Sequence, residues 1–237
     1  MTVAAFKDLC VDAADALALG RFWAAALGGR LVDLGDTSAR VDRGDSRAES
    51  IWVNPVPEPR TAKTRAHLDL RLTSPDPGPL VAAGATLLRT PDDEISWWVL
   101  ADPEGNEFCA FPPRPGAAAG VVELVVDAGD PRAQAAWWAS VTGGTVGPDT
   151  GDPWASITGA AGFPWDYWVF NAVPEPKTAK NRLHWDVELV GATTPDALVA
   201  AGAPVLREPD DDVRWWVMAD PEGNEFCAFA PSGTMDG

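Results

Sequence analysis

The chain has 237 residues, enough for two ordinary domains that each bury a core. Its 35 acidic against 18 basic residues leave a formal charge of −17, which repels nucleic-acid phosphates and anionic membrane surfaces and argues against both as partners. The opening MTVAAFKDLC interrupts its apolar run with charge, so neither a signal peptide nor a membrane span is expected. Three cysteines without close spacing, Cys10, Cys109 and Cys227, point to reduced thiols and a cytoplasmic protein.

Residues 4–11 place Phe6, Leu9 and Val11 on a strand, and 12–15 supply a helix N-terminal signal. Residues 16–27 space Leu19, Phe22, Trp23 and Leu27 along one helical face, which Gly28-Gly29 ends. Short strands are expected at 31–34, 38–41 and 50–53, before a proline-broken loop at 55–59. In 66–72, His67, Asp69 and Arg71 alternate with leucines, the pattern of a strand with one polar face. A short helix at 79–84 precedes strands at 86–88, 96–100 and 107–111, and Asp102-Pro-Glu-Gly-Asn106 fits a hairpin turn. The PPRPG run at 112–116 is a stiff linker, giving expected domains of 1–113 and 120–237 joined by 114–119.

The second half repeats the first. WWVLADPEGNEFCAF at 97–111 returns at 215–229 with only Leu100 changed, to Met218, and VPEPRTAKTRAHLDL at 56–70 returns as VPEPKTAKNRLHWDV at 173–187. RFWAAALGG ending at Gly29 has its counterpart in AWWASVTGG ending at Gly144. These blocks recur at nearly one spacing of more than a hundred residues, beyond the solenoid range of roughly 20–50, so a complete fold has been duplicated.

The helix closing in FWxxxLGG, the EPxTxKxRxHxD segment and the WWVxADPEGNEFC hairpin resemble the glyoxalase-like domains of the vicinal oxygen chelate superfamily, which includes bleomycin-resistance proteins and dioxygenases. The resemblance spans both halves and implies an α+β fold of tandem domains, each of two βαβββ units whose sheets curl into half-barrels. It fixes no activity.

Metal-dependent relatives hold one divalent ion through a residue in each unit's first strand and a carboxylate in each unit's last. Carried onto this chain, the first-strand positions fall at Asp8, His67, Glu123 and His184, and the final glutamate of the hairpin motif is replaced by Cys109 and Cys227. The last strands of the opening units offer Trp52 or Asn54, and Trp168 or Asn171, none a normal ligand of a divalent metal. Taken within each half, the remaining sets are Asp8, His67 and Cys109, and Glu123, His184 and Cys227. Either could hold Zn, Fe, Mn or Ni, but the loss of the carboxylates favours no metal cofactor. Both cysteines also read as small buried hydrophobes and both histidines as cavity-wall residues.

Twelve tryptophans are many for this length. Core filling accounts for part of them, and adjacent pairs must face opposite sides of a sheet. An aromatic-lined pocket is expected from Trp52, Trp97, Trp98, Trp168, Trp185, Trp215 and Trp216. Lys180 and Arg182, like Lys63 and Arg65, serve either as ion-pair partners for nearby acids or as an anion anchor. The leading expectation is a monomer, with a homodimer as the alternative, that binds a small organic molecule of aromatic or cationic character. The rival is a lyase, isomerase or dioxygenase using His184, Glu123, His67 or Asp8 as its catalytic groups.

Overall fold

The computed structural model describes residues 2–44 and 47–231; Met1 and 232–237, the outer ends of the expected domains, lie outside them. Four βαβββ units follow one another. The first comprises β1 (Ala4–Ala13), α1 (Ala16–Leu27), β2 (Arg30–Asp33), β3 (Ala39–Asp42) and β4 (Ile51–Pro55), and the second β5 (Ala66–Arg71), α2 (Gly78–Ala82), β6 (Thr86–Arg89), β7 (Trp98–Ala101) and β8 (Glu107–Phe111). The third holds β9 (Gly120–Ala128), α3 (Pro131–Thr142), β10 (Thr145–Val146), β11 (Trp154–Thr158) and β12 (Tyr167–Ala172). The fourth holds β13 (Leu183–Leu189), α4 (Pro195–Ala200), β14 (Val205–Arg207), β15 (Trp216–Ala219) and β16 (Glu225–Phe229).

These strands form two open eight-stranded sheets, ordered β14-β15-β16-β13-β1-β4-β3-β2 and β10-β11-β12-β9-β5-β8-β7-β6. The first sheet therefore joins units one and four, and the second joins units two and three. The seams are antiparallel pairings of β1 with β13 and of β5 with β9, so each sheet takes one unit from each half of the chain.

The repeated hairpin sequence is a clamp. Asp102 Oδ1 accepts from the N–H groups of Glu104 and Asn106 at 3.0 and 2.9 Å, and Gly105 supplies the left-handed φ of +85° that the turn requires. The turn so shaped aims Glu104 at the start of α1, where its carboxylate accepts from the backbone N–H groups of Ala14 and Asp15 at 2.8–2.9 Å. Glu222 does the same for Gly129 and Asp130 at the start of α3, at 2.7 and 2.8 Å. A carboxylate at a helix N-terminus satisfies orphan donors and complements the dipole, and here it also ties successive units together.

Between the sheets lies an aromatic core fed by the two long helices. Phe22 and Trp23 of α1 meet Phe108 of β8 at ring distances of 6.0 and 5.3 Å. Trp138 of α3 touches Trp168 at 4.8 Å on one sheet and Trp185 and Phe226 at 5.3 and 5.1 Å on the other, and all four rings are fully buried. Trp138→Ala is expected to cost about 3–5 kcal/mol in denaturant unfolding, because it opens a cavity that rings from both sheets must line; a loss below about 1 kcal/mol would contradict this packing.

Candidate functional site

Alternation along the strands puts one side of each sheet into the aromatic core and leaves the other as a concave face. On the first sheet, Leu9, Val11, Trp185, Val187 and Phe226 turn inward to the core, while Cys10, His184, Asp186 and Cys227 turn to the concave face. Register brings these together: Cys10 lies opposite His184, Asp8 opposite Asp186, and Asp186 beside Cys227. A cavity of about 700 Å³ opens over them, with Trp52 of β4 on one wall and Trp215 and Phe229 on the other. The latter two rings stack at 5.2 Å.

The charges of this face are tied in pairs. Lys7 Nζ donates to Asp8 Oδ2 at 2.7 Å and lies 3.9 Å from Asp186 Oδ2; Lys180 pairs with Asp12, and Lys177 with Glu225 at 2.7 Å. Burial first, and then the neighbouring Asp8 charge, pushes the Asp186 carboxyl well above the usual carboxylate range. Burial lowers the His184 pKa, which keeps its imidazole neutral at pH 7, and burial with the nearby Asp186 pushes the Cys10 and Cys227 thiols up, so both stay protonated. Asp8 Oδ1, Asp186 Oδ1 and His184 Nδ1 are buried without a hydrogen-bond partner among the described residues.

The second sheet carries the counterpart. Glu123 lies opposite Asp69, Asp69 beside Cys109, and His67 opposite Val125. His67 Nε2 is 3.4 Å from Asp69 Oδ1 and 3.9 Å from Cys109 Sγ. Burial, reinforced by Asp69, pushes Glu123 up to about 7, with Arg71 acting against the shift. Position by position, Val122, Val125 and Val169 here replace Lys7, Cys10 and Trp52, so the two faces are chemically unequal.

The sets expected within each half do not assemble. Asp8 is on the first sheet, whereas His67 and Cys109 are on the second; Glu123 is on the second, whereas His184 and Cys227 are on the first. The reason is the seam: strands from opposite halves pair, so Asp8 meets the side of His184 and Cys227, and Glu123 that of His67 and Cys109. Among the described residues, two groups of possible metal ligands result, Cys10 with His184 and Asp186, and His67 with Asp69 and Cys109, each with ligand atoms within 4.8 Å of one another.

Of the expected aromatic wall, Trp52 and Trp215 line the first cavity, and Trp97, just before β7, lies tilted against Phe111 with ring centroids 5.2 Å apart. Trp168 and Trp185 are instead fully buried in the inter-sheet core, and Trp98 and Trp216 pack against that core. Lys180 borders the cavity, but Arg182 is buried elsewhere, donating to Glu58 O at 2.8 Å and to Glu104 at 3.0 Å. Asp69 and Asp186 were readable from the strand alternation that also places the histidines. Cys10 follows from alternation with Asp8, but Lys7 does not, because the register shifts between Phe6 and Asp8.

Among curated proteins, none matches the sequence. Among solved structures, the fold is similar to glyoxalase I from Zea mays, with a TM-score of 0.66 at 12% identity over 95% of this chain and 92% of that one. A point mutant of that enzyme gives 0.68 at 13% over 96% and 94%, and a candidate dioxygenase from Bacillus subtilis gives 0.65 at 12% over 98% and 86%. At such identities the likeness is one of fold. No helix among the described residues is long and apolar enough to cross a membrane. A family model, the glyoxalase-like domain, matches residues 8–111 and again 123–229. With the repeated βαβββ units and their two concave faces, that double match shows that the chain belongs to the glyoxalase-like domain family, in tandem, within the vicinal oxygen chelate superfamily.

Proposed function

We propose that the first concave face binds a flat small organic molecule between Trp52 and the stacked Trp215–Phe229 pair, and that no divalent ion takes part. One observation carries the reading: indole walls from two different units border a single cavity of about 700 Å³, the size of a small-ligand site. Arg40 lies 5.2 Å over the Trp52 ring and steadies it. Lys7, Lys180 and Arg207 on the wall favour an aromatic molecule with oxygen acceptors over a cationic one.

The donor set does not fit the family's divalent ion. Trp52 stands on β4 in register with Cys10, where a last-strand ligand would be needed, and an ammonium already occupies the acid pair. The chain supplies all four units itself, which supports a monomer. The three free cysteines support a cytoplasmic setting. The test is equilibrium dialysis against aromatic acids, phenols and ketones. Trp52→Ala is expected to weaken binding at least about tenfold, while Trp97→Ala, just before β7 of the second sheet, leaves it within about twofold. Equal effects of the two substitutions, or no binder in the panel, contradict the proposal.

A second reading, metal-free proton transfer, is favoured by Glu123, whose titration near 7 suits a general base. Asp69, Asp166, His67 and Arg71 are the charged groups that act on it. An unperturbed glutamate loses its proton near 4.5, and Glu123 in the fold holds its proton to about 7. Between those values the folded state binds more protons than the unfolded, so this contribution to stability is present below the lower value and is lost as pH rises to the upper. Thermal unfolding from pH 4 to 8 is expected to show Glu123→Gln gaining on the parent across that window. Parallel curves contradict the raised titration and with it the base assignment.

A further inference from the structure

We propose that in the first cavity the Lys7 ammonium takes the place of a divalent cation, so that the site excludes metal and presents N–H donors instead. The inference rests on the reading of this cavity as the binding site only for what the ammonium is used for; the exclusion of metal stands by itself.

Lys7 sits where the register of β1 slips, between Phe6 and Asp8. Such a bulge lets two successive side chains serve one face, and so Lys7 stands on the same face as Asp8 and reaches both acids of the pair. The ammonium is held on two sides, by Asp8 at 2.7 Å and Asp186 at 3.9 Å, and by the Phe229 ring, whose centroid is 4.2 Å away. Its side chain is 25% exposed, and Lys7 borders the cavity, so a donor remains for a carbonyl, phenolate or carboxylate oxygen of a bound molecule.

Around this ammonium lie the groups a cation would use. Among the described residues, Asp8 Oδ1, Asp186 Oδ1 and His184 Nδ1 are buried and find no partner, and Cys10 Sγ lies within ligand range of His184 and Asp186. A divalent ion at Asp186 would have to enter beside a fixed positive charge 3.9 Å from that carboxylate, and Coulomb repulsion at such range in a partly buried site is worth several orders of magnitude in affinity. The second sheet supplies the contrast: its slip falls between Asp69 and Leu70, leaving Val122 as the counterpart of Lys7, so the Asp69–Glu123 pair has no cation from that position.

Cobalt(II) titration followed by visible absorption tests this, with every protein carrying His67→Ala so that the second face has no imidazole. The chain with Lys7 intact is expected to show no saturable uptake. Lys7→Met should bind one equivalent at least about 100-fold more tightly, lose it on His184→Ala, and unfold at a higher temperature with the metal present. Lys7→Arg, which keeps the charge, should still exclude it. Uptake by the chain with intact Lys7 that His184→Ala abolishes overturns the proposal, and this arm decides even if Lys7→Met does not fold. A folded Lys7→Met with unchanged affinity overturns it equally. No organic ligand enters either arm, so a failed dialysis panel and a failed cobalt experiment speak to different claims.

Discussion

Two antiparallel strand pairings, β1 with β13 and β5 with β9, decide where all the chemistry of this protein sits. Each joins a strand from one half of the chain to a strand from the other, so neither concave face exists within a single half. The other side of each sheet is organised differently: there the DPEGN turns clamp successive units, Glu104 onto α1 and Glu222 onto α3. Cohesion along the chain is thus provided by the helix-bearing core, and the sites by the seams. The almost letter-for-letter repeat of the hairpin follows from this division, since Asp102, Gly105 and Asn106 and their counterparts build a turn whose geometry sets a helix cap.

Much of this was legible in the sequence, and what was not has identifiable causes. Helical spacing in 16–27, alternation in 66–72 and the glycine and proline punctuation gave the order of elements, because those signals are local. Pairing of units is non-local, and a strand's alternation states which residues share a face without stating which strand comes alongside. The sequence alone therefore groups Asp8 with His67, whereas β1 pairs with the His184 strand. The same limit misplaced Trp168 and Trp185: either side of these sheets carries large apolar groups, so residue type could not separate core from cavity. Lys7 was hidden by the slip in β1, which breaks the simple alternation that would have put it on the same side as Leu9 and Val11.

Duplication produced two faces, and substitution has made them different. One keeps an ammonium over its acid pair and an indole in register with Cys10; the other has valine at Lys7's, Cys10's and Trp52's positions, an arginine where the first has Glu188, and a glutamate titrating near 7. On the first face Lys7 works against the burial that raises the Asp186 carboxyl, and on the second Arg71 works against the burial that lets Glu123 hold its proton to about 7. The proposed binding pocket and the proposed proton-transfer group thus stand on equivalent frameworks.

The claim on which the rest stands is that each face is assembled from both halves, and a cross-link measures it directly. Cys10 and His184 are antiparallel partners across the seam, at a spacing a disulfide can bridge. In a chain carrying Cys109→Ser and Cys227→Ser, His184→Cys should therefore close an intramolecular disulfide with Cys10 on mild oxidation, read by mass of the linked peptides, while His67→Cys should not. A link from Cys10 to position 67 in place of 184 would contradict the account at its foundation.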